Sequence, residues 1–443
     1  MRIADLISFR TRWLLIVATC CCAQLNAGIS VRGTIKEQGS GQRIPYANVY
    51  YPAMRSGVVA DLNGNFSLQV NAESDTLVFT AVGYKRLVIP SSQINDEVFL
   101  HPDATELKTV VIRATNDRYY FQLLDSCRKY TKVYKGLSKA AFHQTSVIAE
   151  QQVEQLDAYY NAVCNGYELE NLQLKTGLFG LKPRDGNFFI SYENTKAITL
   201  LPVLSKPRYF PRQPLCMTVE QMLKNYFAEV DEQYRKENGD LMIRLTCLPK
   251  DTGGAFFYAT YVLNLQRKCI EEIILKGSTD VHHPFVPNTG DSIARLDWDI
   301  HRSYECLNDT LYLQQIYFRY NTSYKRLRPS QPNTSFLVNT TAIIYFYQHG
   351  QAFILPSFDF GTLSPGDYSK INAYGFNRTF WSGLQDYRLT DYEQSVKFYN
   401  SPGILTDQHA FKQGAFGRSG LFEHPYVHWS RNRIRIRQTV SDT

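Results

Sequence analysis

From residue 29 to residue 114 the chain is cut into short extended stretches by Gly, Pro and Asn, and this rhythm constrains the fold more than any other feature of the sequence. Residues 29–35 alternate apolar and polar, Gly39-Ser40-Gly41 interrupts them, and residues 44–50 resume an extended pattern. Asn63-Gly64-Asn65 separates Val58-Val59-Ala60 from Phe66-Ser67-Leu68-Gln69-Val70. An Asn-Gly pair accepts the positive φ of a tight turn, so this segment predicts a hairpin. Residues 76–82, 85–89, 98–100 and 109–112 complete the set. About seven strands at this spacing predict a small β-sandwich.

The blocks that build these strands also carry a family resemblance. Gly33, Ile44-Pro45-Tyr46-Ala47-Asn48-Val49, the run from Gly57 to Leu68, Thr76 to Tyr84, and Glu106 to Ile112 follow one another in order. Together they resemble the carboxypeptidase-regulatory-like domain. The resemblance implies a seven-stranded transthyretin-like β-sandwich that performs no chemistry of its own. It is similar to N-terminal extensions of outer-membrane transporters and of Bacteroidetes surface proteins. In the central motif, Asp61 and Asn63 supply side-chain oxygens to a turn and Gly64 supplies the positive φ. A calcium loop would need further acidic ligands and a glutamate at a fixed offset, which are absent.

The start of the chain predicts a signal peptide over residues 1–27. Arg2, Arg10 and Arg12 precede an uncharged apolar run at 13–23, and Ala23 and Ala27 are small-residue exits. The run is too short to span a bilayer, which takes about 20 residues. Cys20 follows it in the position of a lipidated cysteine, but Thr19 fits that site poorly. Six cysteines remain after such a leader: Cys127, Cys164, Cys216, Cys247, Cys269 and Cys306. They are dispersed with no Cys-x-x-Cys, which excludes zinc-ribbon and thioredoxin-like sites. An oxidising compartment would permit disulfides among them, and buried free thiols are equally compatible.

The remainder, residues 115–400, predicts a larger antiparallel β-rich α+β domain with one or two helices, followed by a tail at 401–443. Composition supports the β assignment, because 30 Tyr and 26 Phe suit half-buried pleated surfaces. A helix is predicted over 116–135, with Asn116 as N-cap, Gly136 as stop, and Tyr120, Leu124, Cys127 and Thr131 on one stripe. A second helix starts at Thr218, which forms a capping box with Gln221, and runs through Met222, Leu223 and Phe227. Aromatic-rich alternation marks strands at 141–148, 158–169, 186–192, 241–248, 255–263, 269–275, 296–303, 310–320 and 337–347. The hairpin turning at 264–268 is similar to those of lipoprotein-carrier half-barrels, which fold a curved sheet around a helix. The segments 375–381 and 387–390 resemble the closing motif of regulatory-domain proteins of the Bacteroidetes type.

A search for chemistry finds no constellation. Zinc carboxypeptidase chemistry needs His-x-x-Glu, and the nearest approach, His301 to Glu305, is one residue too long. His282-His283-Pro284 fits a loop. No Gly-x-Ser-x-Gly elbow, dinucleotide fingerprint or phosphate loop occurs. Asp297-Trp298-Asp299 places two carboxylates on one strand face, a pattern shared by glycosidase pairs and solvated strands. Asp75-Thr76-Leu77, Asp291-Ser292-Ile293 and Asp309-Thr310-Leu311 resemble O-glycosylation acceptors of exported proteins. The formal charge of +7 has one dense cluster, Arg431, Arg433, Arg435 and Arg437, whose alternation puts all four on one strand face. That pattern fits a solvated edge or an anionic partner and gives no case for nucleic acid.

The expectation is therefore a non-catalytic exported envelope protein with no catalytic, cofactor or metal site, at the periplasm or outer membrane. Its partner would be an envelope protein, a glycan or a lipid, and peripheral membrane association fits the same expectation. The alternatives are an outer-membrane barrel or transporter component, and a hydrolase with an unrecognised site.

Overall fold

A computed structural model describes residues 29–406 apart from 55, 62, 82–83, 103–111, 114–115, 183–190, 192–193, 208–209, 237, 280–290, 308, 327–334, 358–365 and 383–397. The leader with Cys20, the His282-His283 pair, the strand expected at 186–192, the segment 387–390 and the arginine tail lie outside the described residues.

The molecule is mainly β, with an N-terminal sandwich and one large antiparallel sheet. The sandwich has seven strands: β1 (Ile29–Glu37), β2 (Asn48–Tyr51), β3 (Ser56–Val59), β4 (Asn65–Val70), β5 (Thr76–Thr80), β6 (Leu87–Pro90) and β7 (Glu97–Leu100). They form two sheets, ordered β4-β1-β7 and β3-β2-β5-β6. Ile35, Val49, Phe66, Leu77, Phe79 and Leu100 close the core between them. Phe66 and Phe79 meet edge to face at 5.3 Å.

The Asn-Gly turn is present, but the hairpin is not. β3 pairs with β2 and β4 pairs with β1, so the turn carries the chain from one sheet to the other. The cause is local hydrogen bonding. Asp61 Oδ1 accepts from the Asn63 and Asn65 amides at 2.8 Å, and the Gly64 carbonyl accepts from the Ile35 amide at 2.8 Å. Gly64 has φ +73°, and a Cβ there would sit 2.7 Å from the Ile35 carbonyl oxygen. The arch is thereby fixed to β1.

Ile112–Arg113, expected to close the sandwich, forms β8 on the edge of the large sheet, opposite Glu229 and Val230. The helix that follows is α1 (Asp117–Tyr130), capped by the Asn116 side chain, which accepts from the Tyr119 amide at 3.1 Å. It ends at Thr131, before Gly136, and its fully buried stripe is Phe121, Leu124 and Cys127, with Tyr120 at its border.

The large sheet contains β9 (Lys135–Ile148), β10 (Gln151–Asn165), β11 (Glu168–Leu181), β12 (Tyr226–Arg235), β13 (Leu241–Pro249), β14 (Tyr258–Asn264), β15 (Cys269–Thr279), β16 (Asp291–Leu307), β17 (Thr310–Arg326), β18 (Ser335–Tyr347) and β19 (Leu405–Thr406). With β8 they run in the order β19-β11-β10-β9-β18-β17-β16-β15-β14-β13-β12-β8. The strand expected at 158–169 is broken by Gly166, whose φ of +70° makes the β10–β11 turn. The start of the predicted tail is held in the sheet, because β19 pairs with the end of β11.

Helices α2 (Asn194–Thr199), α3 (Val219–Asn225), α4 (Asp367–Tyr374) and α5 (Arg378–Ser382) complete the described elements, more than the one or two expected. The Thr218–Gln221 capping box forms. Its helix stops at Asn225, so Phe227 lies on β12 and is 54% exposed.

The sheet is strongly curled. Tyr167, in the β10–β11 turn, accepts from the Ile270 amide of β15 at 3.3 Å and donates to Thr131 at 3.0 Å. β10 and β15 are five strand steps apart in the sheet order, about 24 Å if flat. Only a curled sheet brings them within reach of one tyrosine. The inner face is filled by α1, α3 and the 198–217 segment, which supply Phe121, Leu124, Met222, Val203 and Leu215 to one core with Tyr261, Trp298 and Ile344.

Arg302 is the largest side chain buried in this interior, at 1% exposure. It donates to the carbonyls of Tyr167 at 3.3 Å and Leu201 at 2.6 Å. A second polar cluster fixes α4. Glu154, fully buried, accepts from Tyr368, Ser146 and the Ser191 amide, the last at 2.8 Å. Asp367 accepts from Tyr160 at 3.0 Å and from Thr195.

Candidate functional site

The sandwich sits against the outer face of the curled sheet, opposite α1 and α3. Val59, Tyr46 and Tyr50 of the sandwich join Tyr317, Ile343 and Tyr345 of the sheet in a separate apolar cluster. Tyr46 carries the contact, with its ring 5.1 Å from that of Tyr317. Its φ is +60°, a left-handed conformation that a bulky residue adopts only when its surroundings impose it. Burial pushes the Tyr46 hydroxyl well above the usual phenol range, with Tyr317 adding to the shift.

Beside this contact the two units enclose a cleft of about 820 Å³. The sandwich wall comes from residues 42–46, from Asn48 and Thr80 at the ends of β2 and β5, and from Ala81, Tyr84, Lys85 and Arg86, and the other wall from the outer faces of β12–β18. The period-two alternation of a strand explains the second wall. On β16, Leu296, Trp298 and Ile300 point into the core, so Asp297, Asp299 and His301 point outward.

The charges of the two walls differ. The sandwich contributes Arg43, Lys85 and Arg86, with no carboxylate among its lining residues. On the sheet wall, Lys236 bonds Glu271 at 2.7 Å and Arg267 bonds Asp240 at 2.9 Å. Arg244 lies 3.4 Å from Glu232 and 4.0 Å from Glu272. Burial holds the Glu272 carboxyl above its ordinary value, with Arg244 and His301 opposing. Burial also acts to raise Asp299, but the hydrogen bond from His301 at 2.8 Å and the cations nearby hold that carboxyl below the usual range. Asn48 and Thr80 lie at the base. Asn48 is 7% exposed, its amide donates to Thr80 at 3.3 Å, and its Oδ1 has no partner among the described residues.

Residues 31–112 match the family described as the CarboxypepD_reg-like domain. The N-terminal sandwich is a carboxypeptidase-regulatory-like domain. No curated protein matches the chain. Among solved structures, it is similar to an outer membrane lipoprotein-sorting protein domain from Vibrio parahaemolyticus, at 12% identity over 52% of this chain and 93% of that one, with a TM-score of 0.22. The Pseudomonas aeruginosa MucA/MucB complex matches at 8% identity over 52% and 93%, with a TM-score of 0.17. A membrane-associated protein of unknown function from Bacteroides fragilis matches at 14% identity over 72% and 97%, with a TM-score of 0.14.

The residues singled out in the sequence scatter across the molecule. Asp297 and Asp299 do share a strand face, and each has a partner: Arg295 at 2.7 Å for Asp297 and His301 at 2.8 Å for Asp299. Glu305 has no bond to His301 and accepts from Gln314 at 3.3 Å. All six cysteines are free, and burial pushes Cys127 up to about 12 and Cys164 up to about 11, so neither is a ready thiolate. The Asp61 carboxylate is engaged by the turn amides. Among the described residues no three metal-ligating side chains converge. The sandwich residues Tyr46, Asn48 and Arg86 were not singled out by chemistry, although Tyr46 and Asn48 stand in the family block Ile44–Val49.

Proposed function

We propose that this is an exported, non-catalytic envelope protein that recognises a partner through the cleft between sandwich and sheet. The observation that carries the proposal is the joint construction of that cleft. A bulky residue held in a strained conformation docks the regulatory-like domain, and the docking creates a concave, charged, partly aromatic site. The leader-like start and the family of the first domain support export.

The faces of the sheet weigh against a lipid-facing barrel. Its outer face carries the pairs Arg295–Asp297, Lys276–Asp299 and Arg244–Glu232, and its inner face is apolar, the reverse of a barrel that spans a bilayer. No helix among the described residues is long and apolar enough to cross a membrane. The hydrolase alternative has Asp297 and Asp299 as its candidate pair, and both are engaged, Asp297 by Arg295 and Asp299 by His301 and Lys276.

A photo-reactive residue placed at Arg86, inside the cleft, tests the proposal in intact cells. The expected result is an adduct with an envelope component from position 86 and none from Phe227, which is exposed away from the cleft. Equal labelling from both positions, or none from position 86, overturns it.

A further inference from the structure

We infer that the cleft binds a short acidic oligosaccharide, a chain of sugars bearing carboxylates. The inference rests on the proposed recognition role of the cleft and names the ligand class.

Three observations converge. The first is unbalanced charge. Arg43 and Arg86 are exposed on the sandwich wall, which has no lining carboxylate, and the acid that senses Arg86 is Glu305 on the facing wall; Lys236 and Arg267 on the sheet wall each have an acidic partner within 3 Å. A ligand spanning the cleft meets positive charge on the sandwich side, which selects an anion.

The second is unmet demand for donors. Asn48 Oδ1 has no partner among the described residues, and a buried acceptor without one costs about 1–3 kcal/mol. Glu272 is 8% exposed, and the Arg244 guanidinium stands 4.0 Å from it. These acceptors call for hydroxyl or amide donors from the ligand, while the arginines call for acceptors.

The third is size and texture. A volume of about 820 Å³ falls in the range of small-molecule sites, and Tyr46, Tyr84, Tyr317 and Tyr345 line it with amphipathic ring surface. A uronate chain offers donors, acceptors, a carboxylate and an apolar C–H face in every sugar. An acidic peptide would also satisfy the arginines; a uronate chain differs in bringing several hydroxyl donors per unit to the acceptors and an apolar C–H face to the tyrosine rings.

Calorimetric titration of the full chain tests this. The probes are tetragalacturonate, a mannuronate tetramer and a chondroitin tetrasaccharide, with maltotetraose and hexaglutamate as comparisons. At least one uronate should bind, more weakly at high salt. The double variant Arg43→Gln/Arg86→Gln should weaken that binding at least tenfold with an unchanged unfolding midpoint, since both residues are exposed. Asn48→Asp, which adds a carboxylate to the cleft lining, should weaken it further. Failure of all three uronates, equal binding of maltotetraose, binding of hexaglutamate alone, or an unaffected double variant overturns the inference. Cleft adducts at Arg86 without uronate binding would sink the glycan assignment and leave the recognition role standing; loss of those adducts would sink the role itself.

Discussion

At the residue scale, a buried arginine and a half-buried histidine have roles that alternation alone does not explain. Arg302 falls at the same parity on β16 as Leu296, Trp298 and Ile300, so the strand period places it inward, and only the fold shows why a charge is tolerated there. It ties the β10–β11 turn to the end of α2 by donating to carbonyls of both. Arg302→Met keeps the volume and removes the donors, so it should lower stability by about 2–4 kcal/mol, read as a reduced urea midpoint. His349 is the second case. Its Nδ1 lies 2.8 Å from Ser138 Oγ, and its ring packs against both Tyr312 and Tyr134, which stack on each other. Burial lowers its pKa from 6.5 to about 4. Between those values the unfolded chain binds more protons than the folded one, so stability rises with pH across that window and is lost on acidification. His349→Gln should flatten this slope, removing a loss of about 1–2 kcal/mol between pH 6.5 and 4 in thermal melts. A slope unchanged by the substitution would assign the acid sensitivity to another group.

At the element scale, the arch at Asp61–Asn65 and the seat of α4 set the architecture. The sequence motif announces a tight turn correctly, and the prediction of a hairpin fails because a turn signal carries no information about which strands pair. That choice depends on Ile35, 29 residues upstream in numbering, whose amide and carbonyl capture Gly64 and Ile44. Strand existence was legible from period-two alternation in β9, β13, β15, β17 and β18. β12 was not, because its first residues continue the helical spacing of Met222 and Leu223. Gly177 on β11 leaves room for α4: a Cβ there would lie 2.6 Å from Ile371 Cδ1. Gly177→Ala should cost about 1–3 kcal/mol by overpacking, and Ile371→Val should recover part of it in the double variant. Independent, additive losses would contradict a direct clash.

At the scale of the whole molecule, the filled interior and the external cleft divide the protein into a structural side and a recognition side. The sandwich was legible in the sequence, since the motif blocks from Gly33 to Tyr84 lie within one domain. The cleft was not, because its walls come from residues between Gln42 and Arg86 and from strands about 140 or more residues further along, and no local pattern reports their docking. If the chain is a peripheral envelope protein, carbonate washing of membranes should release it; retention would favour integral insertion. The most direct test of the jointly built cleft is a distance measurement across it. Spin labels introduced as unnatural amino acids at Arg86 of the sandwich and Lys276 of the sheet, read by pulsed electron resonance, should give one narrow distance distribution. A broad or bimodal distribution would show that the two units move independently and would contradict the docked cleft.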